Sequence, residues 1–235
     1  MIEAVTAANE ARFLELTAQD DCAGLRMEAA YNCSPAGCYL SENGALLLRG
    51  SSLLLCGNAP NTEGLETFCA FAGVSELEGA PDLLPGFRRT QLLQMEYAEQ
   101  SVSSQPQLSG AEIDEVPNLW QLASARLLQV PTEDWYADAC ARRNRGLAEI
   151  YAVQAQGHYV ATAGIYALRE NAAYLTAVAT DPAYRCRGFA RALLDKLATF
   201  STGRTLTLLC EPELRPFYER AGYRLRKEVN QDKRI

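Results

Sequence analysis

A single histidine, His158, stands among the 235 residues, and no two of the eight cysteines form a Cys-x-x-Cys pair. Zinc sites are built from clustered cysteine and histidine. A zinc module is therefore excluded and no metal is expected. No apolar run approaches the roughly 20 residues that cross a bilayer, so no membrane partner is expected. The opening stretch "MIEAVTAANEARF" carries early acids and no apolar segment, and it is read as no secretory signal. Lysine is absent from the first 126 residues. That part holds 6 arginines against 17 acids, a net of −11, while residues 127–235 hold 16 basic against 12 acidic residues, a net of +4. A chain of overall charge −7 is a poor partner for nucleic acid, and none is expected. A basic second half can still serve one small anion. Several cysteines lie in apolar runs ("LLLCG", "TLTLLC"), where a reduced thiol behaves as a small hydrophobe. The reading is a reducing cytoplasm, although Cys33 and Cys38 could pair in an oxidising compartment.

What the chain does have is enough apolar residue, 48 %, to build a core. The stretch 98–118, rich in Ser, Gln and Pro, reads as a linker. It divides the chain into two α/β halves, 1–105 and 106–235. In the first, "TAANEARFLELTAQ" predicts a helix. "GCYL", "ALLLR" and "SLLLCG" predict a meander with turns at Asn43-Gly44 and Gly50-Ser51. "NTEGLETFCAFAGV" predicts a helix capped by Asn61 and stopped by Gly73, and "TQLLQMEYA" a strand. In the second, "LWQLA" reads as a strand and "PTEDWYADACARRNRG" as a helix. A hairpin is expected around Gln156-Gly157, then a strand "AAYLTAVAT". The helix "RGFARALLDKLATF" sets Phe189, Ala190, Leu193, Leu194 and Leu197 on one face. The strand "TLTLLC", the short helix "PELRPFYERAG" and the strand "YRLRKEV" complete the half. Both halves run strands, helix, strand, which allows an internal duplication.

The sharpest local pattern is "TDPAYRCRGFARALL", residues 180–194. The strand ends at Thr180 because Pro182 cannot donate to a ladder. The helix that follows begins with N–H groups lacking internal partners, at the positive end of its dipole. Gly188 leaves the backbone bare there, and Arg185, Arg187 and Arg191 surround it. Cations are normally disfavoured at a helix start, so three of them point to an anionic ligand. A diphosphate suits several convergent N–H donors.

The spacing Arg185-x-x-Gly188-x-Ala190, set between a strand and a helix, resembles the pyrophosphate loop of the GNAT acetyltransferase superfamily, whose pattern is Gln/Arg-x-x-Gly-x-Gly/Ala. "PFYERAGYR" resembles that family's C-terminal signature through Tyr218, Gly222 and Tyr223. The resemblance covers about residues 119–235. It implies a mixed, mostly antiparallel central sheet flanked by helices, with two such halves in tandem. The first half, whose "CGNAPNTEGLETF" carries no arginine, is read either as a degenerate copy or as an interaction domain of unrelated fold. The implied reaction is transfer of an acetyl group from acetyl-CoA to a primary amine of a small molecule or peptide.

On that resemblance the cofactor is held by the loop residues Arg185, Cys186, Arg187, Gly188, Phe189, Ala190 and Arg191, with backbone of Val178, Ala179 and Thr180 along the pantetheine arm. Tyr218 is the implied general acid at the sulfur, against the bland alternative of a packed aromatic. Glu211 stands where the family often has asparagine, and is either a base or a surface carboxylate. Glu149 and Glu170 are further base candidates. His158 is read as exposed, Cys186 as passive, and the aromatic residues of "EDWYADA" as cleft or core. The net of −11 in the first half hints at a cationic acceptor such as a polyamine or amino sugar. Two rival readings stand beside this one: a non-catalytic acyl-CoA-binding regulator, and a transferase using another acyl donor. Monomer and homodimer are both open.

Overall fold

The computed structural model describes residues 2–58, 60–98, 108 and 110–235. In chain order the elements are β1 (Glu3–Ala4), α1 (Glu10–Ala18), α2 (Ala23–Cys33), β2 (Cys38–Leu40), β3 (Gly44–Arg49), β4 (Ser52–Gly57), α3 (Thr62–Phe71), β5 (Glu76–Glu78) and β6 (Phe87–Tyr97). They continue as β7 (Ala111–Asp114), α4 (Leu119–Ser124), α5 (Thr132–Asn144), β8 (Glu149–Ala155), β9 (His158–Leu168), β10 (Ala172–Thr180), α6 (Phe189–Leu197), β11 (Thr205–Cys210), α7 (Arg215–Arg220) and β12 (Tyr223–Arg234). The fold is mixed α/β, and most strand pairs are antiparallel. Strands β4 and β5, and β10 and β11, pair in parallel. No helix among the described residues is long and apolar enough to cross a membrane.

The chain forms two compact units. One comprises Met1–Met95, Leu209–Arg215 and Leu225–Ile235; the other comprises Glu96–Leu208 and Pro216–Arg224.

In the first unit β2, β3 and β4 form the expected meander. Alternation along β3 sends Leu46 into one core, with Leu53, Leu65, Cys69 and Phe87, and Ala45 and Leu47 into the other, with Phe13, Met27 and Leu40. This period-two split is what a sheet covered on both faces requires. Helices α1 and α2 touch so closely at Gly24 that a Cβ there would lie 2.0 Å from the Thr17 carbonyl oxygen. The helix α2 escapes sequence reading because small residues, Ala29 and Ala30 among them, fill its buried side. The short strands β1 and β5 escape it as well. The end of the chain completes this unit. Gln231, Asp232 and Lys233 pair with β5, and the fully buried Asp232 carboxylate accepts from Arg89 Nε and Nη2 at 2.8 and 2.9 Å.

In the second unit β7, β8, β9 and β10 pair antiparallel in that order, and β11 joins β10 in parallel. The Gln156-Gly157 turn has φ of 51° and 79°, the left-handed pair that suits a tight hairpin. Two readings need correcting. The stretch taken as a linker contains strand β7, which pairs with β8 over Ala152–Ala155; residues 99–107 and 109 lie outside the described residues. "LWQLA" is helical, not a strand. The Asn118 side chain caps it by accepting from the Gln121 N–H at 3.1 Å, and Leu119, Leu122 and Ala123 are buried at i, i+3 and i+4, a helical spacing. On α6 the buried residues are Phe189, Ala192, Leu193, Leu194 and Leu197, while Ala190 is half-buried.

Candidate functional site

The ladder between β10 and β11 runs from Ala172 with Thr205 to Leu175 with Leu208, whereas β10 stays paired with β9 as far as Thr180. Beyond Leu175 the strand changes from buried to half-buried. Its register with β9 shifts between Thr176 and Ala179, and Ala177 takes φ 57°. An alanine in the left-handed region is uncommon and sits here at a bulge, a device that re-aims a strand. Val178, Ala179 and Thr180 thus lie on a bent strand whose far edge is outside the parallel ladder.

The chain then turns. The Asp181 side chain accepts from the Ala183 N–H at 2.8 Å and starts a single 3-10 turn over Pro182–Tyr184. Cys186 and Gly188 have φ of 60° and 81°. Gly188 is the N-cap of α6 and provides no side-chain cap; no acid follows in the first turn. The first N–H groups of that helix therefore have neither an intrahelical acceptor nor a capping oxygen. Tyr184 lies between two neighbours. The Arg187 guanidinium sits 4.8 Å from its ring centre, and the ring stacks at 6.5 Å on Phe189, the buried first residue of α6. This pile holds Arg187 beside the helix start, with Nη2 also donating to the Ala183 carbonyl at 3.1 Å. Arg185 reaches back to the Thr180 carbonyl at 3.4 Å. Arg191 is engaged further along: Nε bonds Asp195 at 2.7 Å and Nη1 donates to the Arg220 carbonyl, which links α6 to the end of α7.

Tyr218 is 5 % exposed. Its ring meets Phe217 at 5.0 Å and Tyr223 at 5.9 Å, both edge-on, and Tyr97 meets Tyr223 at 5.3 Å. Burial pushes the Tyr223 phenol well up, and its hydroxyl has no hydrogen-bond partner among the described residues. Glu211 is exposed, precedes the 3-10 turn Pro212–Leu214, and groups with the first unit. Glu149, Glu170 and His158 are exposed. All eight cysteines are free thiols. Burial raises those of Cys22 and Cys56 to about 12 and those of Cys69 and Cys210 to about 11, with nearby charges as the smaller influence. Among the described residues no group of three or more His, Cys, Asp and Glu is placed to hold a metal.

Among the features of this unit that sequence reasoning missed is a pocket. Leu122, Leu127, Leu128, Val130, Trp135 and Thr162 line it, under the turn between α4 and α5. Its residues are scattered over two helices, a turn and β9, so no linear motif announces them.

The model of the acetyltransferase (GNAT) family matches residues 113–223. The chain carries a GNAT acetyltransferase domain there. The matched span takes in the bulged strand, the arginine-rich loop, α6 and Tyr218. Solved structures of similar fold include an acetyltransferase of the GNAT family from Colwellia psychrerythraea (TM-score 0.63, 12 % identity, 100 % of both chains covered). A GCN5-related N-acetyltransferase from Sphaerobacter thermophilus gives TM-score 0.58 at 15 % identity, over 100 % of this chain and 95 % of that one. A GCN5-related N-acetyltransferase-like protein from Streptococcus suis gives 0.57 at 17 % identity, over 83 % and 85 %. No curated protein sequence matches the chain. At these identities the likeness concerns fold, and the GNAT domain supports acyl transfer as the class of chemistry.

Proposed function

We propose that the GNAT domain transfers an acetyl group from acetyl-CoA to a primary amine. The observation that carries this is the start of α6: a left-handed glycine N-cap, no competing side-chain oxygen or acid, and Arg185 and Arg187 close by. The pyrophosphate of the donor would sit on those N–H groups. The pantetheine arm would run along Val178, Ala179 and Thr180, where β10 has left the parallel ladder. Cys186 and Ala190 would contribute backbone, and Phe189 holds the helix start in place. In the reaction the amine nitrogen loses a proton and forms a bond to the acyl carbon. The carbon–sulfur bond breaks, and the departing thiolate takes a proton, for which Tyr218 is the candidate donor. Holding both reactants side by side supplies much of the rate. Arg191, occupied by Asp195 and the Arg220 carbonyl, is assigned to orienting α6. Glu211, exposed and grouped with the first unit, is the weaker catalytic candidate.

We also propose that residues 1–105 are a degenerate copy of the same fold. The element order β1-α1-α2-β2-β3-β4-α3-β5 matches β7-α4-α5-β8-β9-β10-α6-β11. A reducing cytoplasm suits eight free thiols.

The reading is tested by thiol release from acetyl-CoA across a panel of amines, alongside a thermal shift with CoA, since a ligand of the native state raises the melting temperature. Tyr218→Phe is expected to lower kcat at least about a hundredfold and to leave CoA affinity unchanged. Loss of CoA affinity without a kcat effect would reassign Tyr218 to packing. CoA binding with no thiol release from any amine would favour a non-catalytic acyl-CoA sensor.

A further inference from the structure

We propose that Asp195 is a positioning residue for acyl transfer: it holds the Arg191 guanidinium on the end of α7 and thereby fixes where the Tyr218 phenol stands. This rests on the reading above, with Tyr218 as proton donor, and adds a residue that acts through it.

Helix α7 is too short to stand alone. It has 6 residues, Arg215–Arg220, well below the roughly 12–15 at which an isolated helix becomes even marginal. Its last carbonyls have no intrahelical partners, and Gly222 turns the chain away at φ 93°. One of those carbonyls, that of Arg220, accepts from Arg191 Nη1 on α6. A cation at a helix C-terminus also answers the dipole. The arginine side chain is long and flexible, so its reach to α7 needs an anchor of its own. Asp195 supplies it. It stands at i+4 on α6, on the same helix face, and its Oδ1 accepts from Arg191 Nε at 2.7 Å. One planar guanidinium thus spans an acceptor on each helix, which its rigid fork of donors allows.

The remainder of the Asp195 carboxylate faces the same neighbourhood. Its Oδ2 is buried and has no hydrogen-bond partner among the described residues, and the same is true of the Tyr223 hydroxyl. Burial first, then the phenols of Tyr218 and Tyr97 and the Asp195 charge, push the Tyr223 phenol up. The carboxylate therefore lies within electrostatic reach of the ring on which Tyr218 packs edge-on at 5.9 Å. A side chain kept only for packing would not be an acid here, since an unsatisfied buried oxygen costs stability that an apolar group of similar size would not. What the acid adds is its grip on Arg191, and departures of this kind gather at functional sites.

Asp195→Asn and Tyr218→Phe are made singly and together in the intact protein and assayed with acetyl-CoA and the amine panel. Asp195→Asn is expected to lower kcat about tenfold or more and to keep CoA affinity, read by calorimetry. In the Tyr218→Phe background the same substitution is expected to lower kcat no further, because its effect passes through that phenol. Arg191→Lys keeps the charge but loses the fork that spans both acceptors, and it is expected to reproduce the loss. Where Tyr218→Phe lowers kcat, an Asp195→Asn loss that persists without the phenol, or no loss at all, would overturn the inference. If Tyr218→Phe alone leaves kcat unchanged, or no amine is turned over, it is the reading above that fails, and fluorine NMR of the 3-fluorotyrosine-labelled protein then decides the clamp. The Tyr218 line is the one missing from Tyr218→Phe. Its movement or broadening in both Asp195→Asn and Arg191→Lys supports the clamp, and an unmoved line overturns it.

Discussion

Two helix starts in this molecule follow a strand at the same stage of the element order, and they are built in opposite ways. At α3 the Asn61 side chain accepts from the Gly64 N–H at 2.8 Å, and Glu63 lies in the first turn. An oxygen already occupies the donors and a carboxylate already answers the dipole. At α6 the cap is a glycine with φ 81°, there is no acid, and guanidinium groups stand near. The preceding strands differ too. The strand β4 keeps its register with β3 from Gly44 with Gly57 to Arg49 with Ser52. Its Leu54, Leu55 and Cys56 are buried. Where its parallel ladder ends, at Leu54 with Glu78, Arg26 bonds Glu78 at 2.5 Å. The strand β10 is bulged and half-buried beyond the end of its own ladder. One start is closed by its own side chains and the other carries no such cap.

The contrast breaks most sharply at Gly188. Gly188→Asp would give α6 a side-chain oxygen and a negative charge where α3 has them. Placing like charges together costs several kcal/mol, so CoA affinity is expected to fall at least about a hundredfold. The left-handed backbone adds about 1–2 kcal/mol of lost stability. Calorimetry with CoA reads the first effect and denaturant unfolding the second. Unchanged CoA affinity would remove the α6 start from the binding site.

Asn61→Ala tests the other side. It should cost about 1 kcal/mol of stability, the usual worth of such a cap, and leave CoA affinity and thiol release as they were. A matching drop in CoA affinity would mean that the α3 start takes part in binding, and the contrast would fail.

How much of this was readable in advance follows from which interactions are local. The Asn61 cap, the Gln156-Gly157 turn, the end of β10 at Pro182 and the glycine-arginine loop each depend on a few successive residues, and each was legible. The helix at "LWQLA" was misread because a stretch of five residues, four of them apolar, cannot separate a short helix from a strand; its Asn118 cap is the signal that could have decided. The bulge at Ala177 and the pocket were not legible. Ala177 is an alanine in an alanine-rich strand, and its positive φ answers the register with β9 rather than its own preference. The pocket joins Leu122 to Thr162 across 40 positions of sequence. Nor could the sequence tell that Arg191 would turn to Asp195 and Arg220 while Arg187 lies on Tyr184.

The smallest expected effect concerns how the first unit closes itself. Asp20 stands just before α2, where its carboxylate accepts from the Cys22 and Gly24 N–H groups at 2.8 and 3.2 Å and pairs with Lys227 at 3.4 Å. Burial works to raise its pKa, but those N–H groups and the lysine outweigh it and hold the carboxyl below the ordinary aspartate value. The unfolded chain therefore takes up this proton first as pH falls. The stabilisation is complete above the unfolded pKa, near about 4, and is lost as pH drops through the folded one. Asp20→Asn should be less stable than the parent by a fraction of a kcal/mol up to about 1 at pH 6, with the gap closing below about pH 4. Denaturant midpoints of both proteins across that range measure it. CoA affinity should not respond, because the carboxylate serves the closed unit. A gap that widened in acid would show the charge opposing the fold, and the account of the first unit as sealed by its own ion pairs would have to be given up.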